Sequence, residues 1–154
     1  MPSQALFSAD EIERVRRPLN EASLLPPRVY TSEALYELEK RQVFMRHWIP
    51  YCRLSQLAPG SYLARTLFDE PVVVTRDEAG ALHALANVCR HRNRQIVDEG
   101  SGCGGIRALT CPYHGWSYDL AGGLRGTPHM EQAQNFERGD FTLPTLQVDV
   151  WQGW

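Results

Sequence analysis

Two short motifs, each joining one cysteine to one histidine, constrain the fold of this chain more than any other feature. They are Cys89-Arg90-His91 and Cys111-Pro112-Tyr113-His114, and each follows a short β-rich run. A tight loop after such a run can point a thiolate and an imidazole in the same direction. The motifs therefore indicate a β-structure in which two loops bring four metal-ligating side chains together.

Two kinds of metal site are compatible with this ligand set. A structural zinc site would bind both motifs to one tetrahedral ion. The alternative is a [2Fe–2S] cluster, in which two cysteines hold one iron and two histidines hold the other. Zinc sites usually pair cysteine with cysteine and histidine with histidine, whereas each motif here mixes the two ligand types. The mixed motifs favour iron–sulfur, and a structural zinc-binding module stays open as an alternative of another class.

The composition limits the setting of this chemistry. The chain has 154 residues and a formal net charge of −2, with 16 Lys and Arg against 18 Asp and Glu. Because the basic residues are scattered and matched by acids, nucleic-acid binding is not supported. The longest apolar runs are too short to cross a bilayer, and the first residues lack the basic start of a secretory signal. We therefore expect a cytoplasmic protein, in which clustered cysteine and histidine more often indicate metal than disulfides.

The first part of the chain has a helical pattern. Residues 1–30 are expected to form an N-terminal extension, in which Ser8 and Glu11 make a capping box for a short helix over residues 9–17. Pro26-Pro27 then predicts an extended linker. A second helix is expected from Thr31 or Ser32 to about His47, so that residues 31–47 form a helical arm.

Residues 48–154 have the pattern of a mainly β domain. Short β-rich runs alternate with Pro, Gly and Asp turn signals, which is typical of a sandwich or barrel of short antiparallel strands. The glycine-rich residues 100–105 are expected to form a surface loop. The final run ends without a turn signal, so we expect further chain to follow it normally. The predicted strands are residues 48–53, 61–68, 71–75, 81–88, 106–110, 116–119 and 148–154.

The two motifs and their surroundings resemble a known family. Cys89-Arg90-His91-Arg92 and the run Cys-Pro-Tyr-His-Gly-Trp-Ser-Tyr-Asp at residues 111–119 are similar to the Rieske [2Fe–2S] domain of ring-hydroxylating Rieske non-haem iron oxygenase α subunits. The resemblance runs from about Leu25 to the C-terminus. It implies a Rieske-type fold with cluster-binding loops. The ligands that it implies are Cys89 and Cys111 on a buried iron, and His91 and His114 on the outer iron.

The resemblance also implies which residues surround the cluster, namely Arg92, Tyr113, Trp116 and Tyr118. Respiratory-chain Rieske proteins are similar, but they add a cysteine to each loop and place a serine at the position of Trp116. Trp116 cannot make that short hydroxyl bond, whereas Tyr118 remains available to a cysteine sulfur. A cluster with fewer hydrogen bonds to its sulfur atoms is less stabilised in its reduced, more negative state. We therefore expect a reduction potential at the low end of the Rieske range of about −150 to +300 mV. The family commonly has Gly in place of Asn93, and Asn is the next most tolerant of a left-handed conformation.

The function that the resemblance implies is electron transfer within an oxidoreductase, a dioxygenase or a monooxygenase. In the family, a C-terminal catalytic domain holds a mononuclear Fe(II) through two histidines and one carboxylate. After the second motif this chain has only His129, so we expect that Fe(II) only in a catalytic domain missing from the chain. The expected donor is a ferredoxin or flavin reductase, and the expected acceptor is the catalytic domain of a neighbouring subunit. A free-standing Rieske ferredoxin is the alternative, although the helical arm disfavours it.

Overall fold

The computed structural model describes residues 7–102 and 105–154. The chain divides into two compact units, Met1–Ile49 and Pro50–Trp154. The first unit is helical and the second is built from short strands. The functional division into residues 1–30, 31–47 and 48–154 stays a prediction.

Helix α1 of the first unit spans Ala9–Arg16 and begins with the predicted capping box. The Ser8 hydroxyl accepts the N–H of Glu11 at 3.2 Å, and the Glu11 carboxylate accepts the N–H of Ser8 at 2.9 Å. These two bonds satisfy backbone donors that a helix start leaves without intrahelical partners. The Glu11 carboxylate also accepts hydrogen bonds from both terminal guanidinium nitrogens of Arg28, with nitrogen–oxygen distances of 2.8 and 2.6 Å.

Helix α2 spans Glu33–Gln42, which is shorter than predicted. Ser32 is its N-cap, in agreement with the predicted start at Thr31 or Ser32, but the helix ends at Gln42 and a short 3₁₀ turn over Phe44–Arg46 follows. The β-branched Val43 is a weak helix former, and the His47 ring lies 2.6 Å from its carbonyl oxygen, where it satisfies a terminal acceptor. The expected extended linker at Pro26-Pro27 is also wrong, because Pro27–Tyr30 forms a 3₁₀ turn with proline at its start.

The second unit contains a five-stranded antiparallel sheet. Its first two strands, β1 (Ser61–Leu67) and β2 (Glu70–Arg76), are joined by a two-residue turn in which Phe68 and Asp69 both have positive φ, 50° and 74°, as a twisted hairpin requires. The strands are β1 (Ser61–Leu67), β2 (Glu70–Arg76), β3 (Leu82–Ala86), β4 (Gly100–Gly102) and, last along the chain, β8 (Thr145–Leu146). Their order in the sheet is β4-β1-β2-β3-β8.

Both faces of this sheet are buried, because alternate residues of its central strands point into two different hydrophobic clusters. Val73 and Leu85 belong to one cluster, and Val72, Val74 and Ala84 to the other. A strand buried on both faces reads as a continuous apolar run rather than an alternating one, which explains Val72-Val73-Val74. The first of these clusters also contains both cysteines of the sequence motifs.

A second, three-stranded antiparallel sheet contributes to the same cluster. It consists of β5 (Leu109–Thr110), β6 (Ser117–Tyr118) and β7 (Leu124–Gly126), in chain order. Leu109, Tyr118 and Leu124 are its buried members. The two sheets therefore enclose one core between them, and the predicted mainly β class is confirmed.

Three predicted features of this unit are wrong. Residues 48–53 and 148–154 form no strand, because neither run finds a partner to complete a ladder. The C-terminal run instead closes a turn, in which Trp151 and Trp154 exchange backbone hydrogen bonds of 2.9 Å. The expected surface loop at residues 100–105 is partly a strand, since Gly100–Gly102 pairs with β1. No helix among residues 7–102 and 105–154 is long and apolar enough to cross a membrane, and the cytoplasmic location stays a prediction.

Candidate metal centre

The two motifs lie in loops of identical backbone construction. The first loop is residues 89–94 and the second loop is residues 111–116. In each, the cysteine N–H donates to the carbonyl of the residue five positions later, Arg94 or Trp116, at 2.8 Å. Antiparallel pairs close each loop at its neck, Val88 with Gln95 and Thr110 with Ser117. Because the loops match, each presents its cysteine at the neck and its histidine near the tip.

A left-handed residue completes each loop. Asn93 has φ 55° and donates its N–H to the Cys89 carbonyl at 2.9 Å. Gly115 has φ 70° and donates to the Cys111 carbonyl at 3.0 Å. Glycine adopts this conformation without strain, and Asn is among the few other residues that do so readily. The expectation that Asn93 fills a glycine position is confirmed by its backbone geometry.

Asn87 fixes the neck of the first loop, a role that the sequence analysis missed. Its side chain accepts the N–H of Val97 at 3.1 Å and donates to the Val97 carbonyl at 2.7 Å. The residue is 1% exposed. A buried amide that satisfies both groups of a neighbouring backbone acts as a short extension of the ladder. Its position two residues before Cys89 was the only signal in the sequence.

The two cysteine side chains are buried at the loop necks. Cys89 is 1% exposed and Cys111 is 2% exposed, and both are free thiols. Burial raises the pKa of the Cys111 thiol, and the neighbouring Cys89 thiol raises it further, while backbone N–H groups of Tyr113 and His114 oppose the shift. A bound metal would reverse this preference, because metal ligation requires the thiolate.

The two histidine rings meet closer to the surface. His91 and His114 are partly buried, and their ring centroids are 4.7 Å apart. The His91 ring stacks on Trp116 at 4.8 Å with an angle of 8° between planes, and the His114 ring lies 3.8 Å from that of Tyr113. Burial lowers the pKa of His91, and the charges of His114 and Arg92 lower it further. The His91 ring therefore favours the neutral form that binds metal.

The donor set consists of one thiol pair and one imidazole pair, with one member of each pair from each loop. Among residues 7–102 and 105–154, no three Cys, His, Asp or Glu side chains converge on a position for one metal ion. A Rieske-type [2Fe–2S] cluster would take two thiolates on one iron and two imidazoles on the other, whereas a plant-type cluster takes four thiolates. The chemistry of the residues present fits that group.

The residues predicted to surround the cluster differ in how deeply they are buried. Tyr118 is fully buried beside Cys89, and Trp116 is 2% exposed between the loops and the core. Arg92 and Tyr113 are exposed on the loops. The chain has two further cysteines, of which Cys52 lies in the other hydrophobic cluster and Cys103 lies outside the described residues.

Comparison with known proteins assigns the family. A family model described as the Rieske [2Fe-2S] domain matches residues 47–137, more than half of the chain. The chain belongs to the Rieske [2Fe–2S] domain family. Membership decides between the two metal interpretations in favour of the [2Fe–2S] cluster and against zinc.

Curated relatives of this Rieske domain are oxygenase α subunits. The benzene 1,2-dioxygenase subunit alpha of Pseudomonas putida is 39% identical over 136 residues, which cover 86% of this chain and 29% of that protein. The biphenyl dioxygenase subunit alpha of Paraburkholderia xenovorans is 40% identical over 114 residues, covering 73% of this chain and 24% of that protein. The chain thus spans less than a third of the length of these relatives, and it matches their N-terminal region.

Solved structures show the same fold. A quaternary ammonium Rieske monooxygenase superposes with a TM-score of 0.79 at 32% identity, covering 86% of this chain and 37% of that one. Naphthalene 1,2-dioxygenase superposes with a TM-score of 0.74 at 27% identity, covering 81% of this chain and 28% of that one. The shared structure is therefore the Rieske domain of oxygenases that act on chemically different substrates.

Proposed function

We propose that Cys89, Cys111, His91 and His114 hold the [2Fe–2S] cluster, with the thiolates on a buried iron and the imidazoles on an outer iron. The single observation that carries this assignment is the matched construction of the two loops. Each loop places one buried thiol and one partly exposed imidazole against its counterpart in the other loop. When bound, the cluster supplies one-electron redox chemistry.

We further propose that the chain is the electron-transfer domain of a Rieske oxygenase α subunit. Different residues of the chain have different roles in this transfer. The hydrophobic core around the thiols excludes water, and the Tyr118 hydroxyl forms a hydrogen bond with the Cys89 sulfur. The partly exposed histidine rings shorten the distance that an electron crosses between the cluster and a partner at the surface. Low exposure of the thiols and partial exposure of the imidazoles favour transfer at the histidine end.

The partners that we propose are a ferredoxin or flavin reductase as donor and a mononuclear iron in the catalytic domain of a neighbouring subunit as acceptor. The charge of the first loop supports an acidic donor. Arg90, Arg92 and Arg94 are all exposed on this loop, and residues 89–97 contain no acid. A positive surface around the histidines would steer a negatively charged redox protein toward them.

A free-standing Rieske ferredoxin remains the second candidate. The relatives described above favour the oxygenase domain, because each is an oxygenase α subunit or an oxygenase. Dioxygenases and monooxygenases both occur among these similar proteins, so either reaction fits the parent oxygenase that we propose.

Metal and sulfide analysis of the purified chain tests the ligand assignment. We expect iron and acid-labile sulfide in equal amounts, and no zinc, with a red-brown colour. Cys111→Ser is expected to lose both iron and sulfide, because an alkoxide is a poor ligand for this cluster. Cys52→Ser removes a buried thiol from the other hydrophobic cluster and serves as the matched control, which should keep full iron content. Equal iron loss in both variants, or zinc in the unaltered chain, would overturn the proposal.

A further inference from the structure

Trp116 links the two cluster loops through a contact that neither motif encodes. Its backbone carbonyl accepts the N–H of Cys111 in the second loop, while its indole stacks on His91 of the first loop. The planes differ by only 8°, with centroids 4.8 Å apart, which is an offset-stacked geometry. The orientation of the His91 ring thus depends on the orientation of the Trp116 indole.

Two phenylalanines from a distant segment hold that indole. Phe136 and Phe141 each approach Trp116 at 5.7 Å between centroids, with interplanar angles of 65° and 82°. They also contact each other at 4.9 Å. Edge-to-face contacts of this kind are attractive and directional, so the pair restricts rotation of the indole as well as its position.

The segment that carries the phenylalanines is itself anchored. Arg138 donates from its guanidinium to the carbonyl of Arg125 in β7 at 3.1 Å. Leu143 is 2% exposed and donates its N–H to the Gly122 carbonyl at 2.9 Å. Both bonds join the segment to the hairpin formed by β6 and β7, which follows directly from the second loop. These bonds therefore fix the positions of Phe136 and Phe141 relative to Trp116.

We propose that Phe136 and Phe141 are positioning residues for electron transfer, which act through Trp116 to fix the plane of the His91 ring. The inference rests on the proposed function, since it takes His91 as a ligand of the outer iron. The two imidazoles then differ in their support. His91 is held by a buried aromatic group, whereas His114 lies against Tyr113, which is 58% exposed. A ligand ring with restricted rotation lowers the structural rearrangement that accompanies each change of oxidation state.

Pulsed EPR of the reduced protein tests this inference, because the ¹⁴N couplings of coordinated imidazoles depend on ring orientation. In the unaltered chain we expect couplings from two imidazoles. The double variant Phe136→Leu/Phe141→Leu should shift the coupling of one imidazole and leave that of the other, with a larger shift than either single variant gives. Phe136→Tyr/Phe141→Tyr keeps both aromatic edges and should restore the original couplings.

Leu85→Ala is the matched control, since it removes a fully buried side chain from the same hydrophobic cluster but carries no ring. It should lower the melting temperature without shifting either coupling. Unchanged couplings in the double variant, or equal shifts in Leu85→Ala, would overturn the inference. If the double variant does not assemble a cluster, the single variants and Trp116→Phe are measured instead. A shift in the coupling of one imidazole in these variants supports the inference, and unchanged couplings overturn it. Absence of two imidazole couplings from the unaltered chain would instead contradict the proposed ligands.

Discussion

The Tyr118 hydroxyl lies 3.3 Å from the Sγ atom of Cys89 and accepts the N–H of Arg90 at 3.0 Å. Because the oxygen already accepts a bond from the first loop, its own proton is available to the sulfur. Tyr118 is fully buried, and burial raises its pKa, with the Cys89 side chain as a further cause. The hydroxyl thus stays protonated and can donate to a metal-bound thiolate at all physiological pH values.

Tyr118→Phe is expected to lower the reduction potential of the cluster. The hydrogen bond is stronger to the more negative reduced state, and a difference of about 1 kcal/mol corresponds to roughly 40 mV for a one-electron couple. Protein-film voltammetry measures the shift. Tyr113→Phe removes an exposed hydroxyl beside His114 and should leave the potential nearly unchanged. An equal shift in both variants would contradict a specific bond to sulfur.

His114→Cys is expected to lower the potential further if the variant assembles its cluster. A thiolate adds negative charge to the outer iron, and replacing imidazoles by thiolates separates Rieske clusters from plant-type clusters by several hundred mV, so about 100 mV or more is expected for one ligand. Redox titration followed by visible absorbance checks this. A potential equal to that of the unaltered chain would show that His114 is not a ligand.

Asn93 and Gly115 are expected to respond alike to alanine, because both occupy the left-handed region at the same place in their loops. Asn93→Ala and Gly115→Ala should each lower the free energy of unfolding by about 1 kcal/mol. Asn93→Gly should be tolerated, since glycine adopts positive φ without strain. Urea unfolding gives the values. A loss for Asn93→Gly as large as that for Asn93→Ala would mean that the Asn93 side chain, not its backbone, matters.

The arginines of the first loop are expected to govern the encounter with an acidic donor. Arg90→Glu/Arg94→Glu should slow reduction by an acidic [2Fe–2S] ferredoxin about tenfold at low ionic strength, and salt should remove most of the difference. Stopped-flow absorbance measures the rate. Arg16→Glu/Arg17→Glu makes the same change in net charge on the helical unit and should have little effect. Equal slowing by both pairs would mean that only net charge matters.

Glu11 is expected to titrate far below an ordinary glutamate. Its hydrogen bonds with Arg28, and then that from the Ser8 N–H, lower its pKa to about 2. Because the folded pKa lies below the unfolded one, the stabilisation is complete above the unfolded pKa of about 4.3 and is lost as the pH falls toward 2. NMR titration of the carboxyl carbon measures this pKa. Arg28→Gln should raise it toward the ordinary value, while Arg17→Gln should not.

Some of the fold could be predicted from local sequence, because it depends on neighbouring residues. The capping box at Ser8 and the central strands around Val72-Val73-Val74 follow from side-chain pattern and propensity. Strand formation elsewhere depended on a partner. Residues 48–53 and 148–154 have β-rich composition but find no ladder, whereas Gly100–Gly102 pairs with β1 despite its glycines. A backbone hydrogen-bond partner is a non-local property that composition does not report.

Features of the candidate site can likewise be separated into those that local sequence predicted and those that depend on tertiary contacts. Residue type and short spacing in the sequence predicted the two cysteine–histidine motifs as candidate metal ligands on two separate loops. The positive-φ position at Asn93 and the availability of Tyr118 followed from the resemblance to the Rieske family. Local sequence could not predict that Asn87 fixes the neck of the first loop, or that Phe136 and Phe141 pack on the indole of Trp116, which stacks on His91. The Asn87 bonds depend on how the chain returns after the first loop, and the aromatic contacts join segments that are far apart in the chain. Both kinds of contact form only when the backbone reaches its folded path.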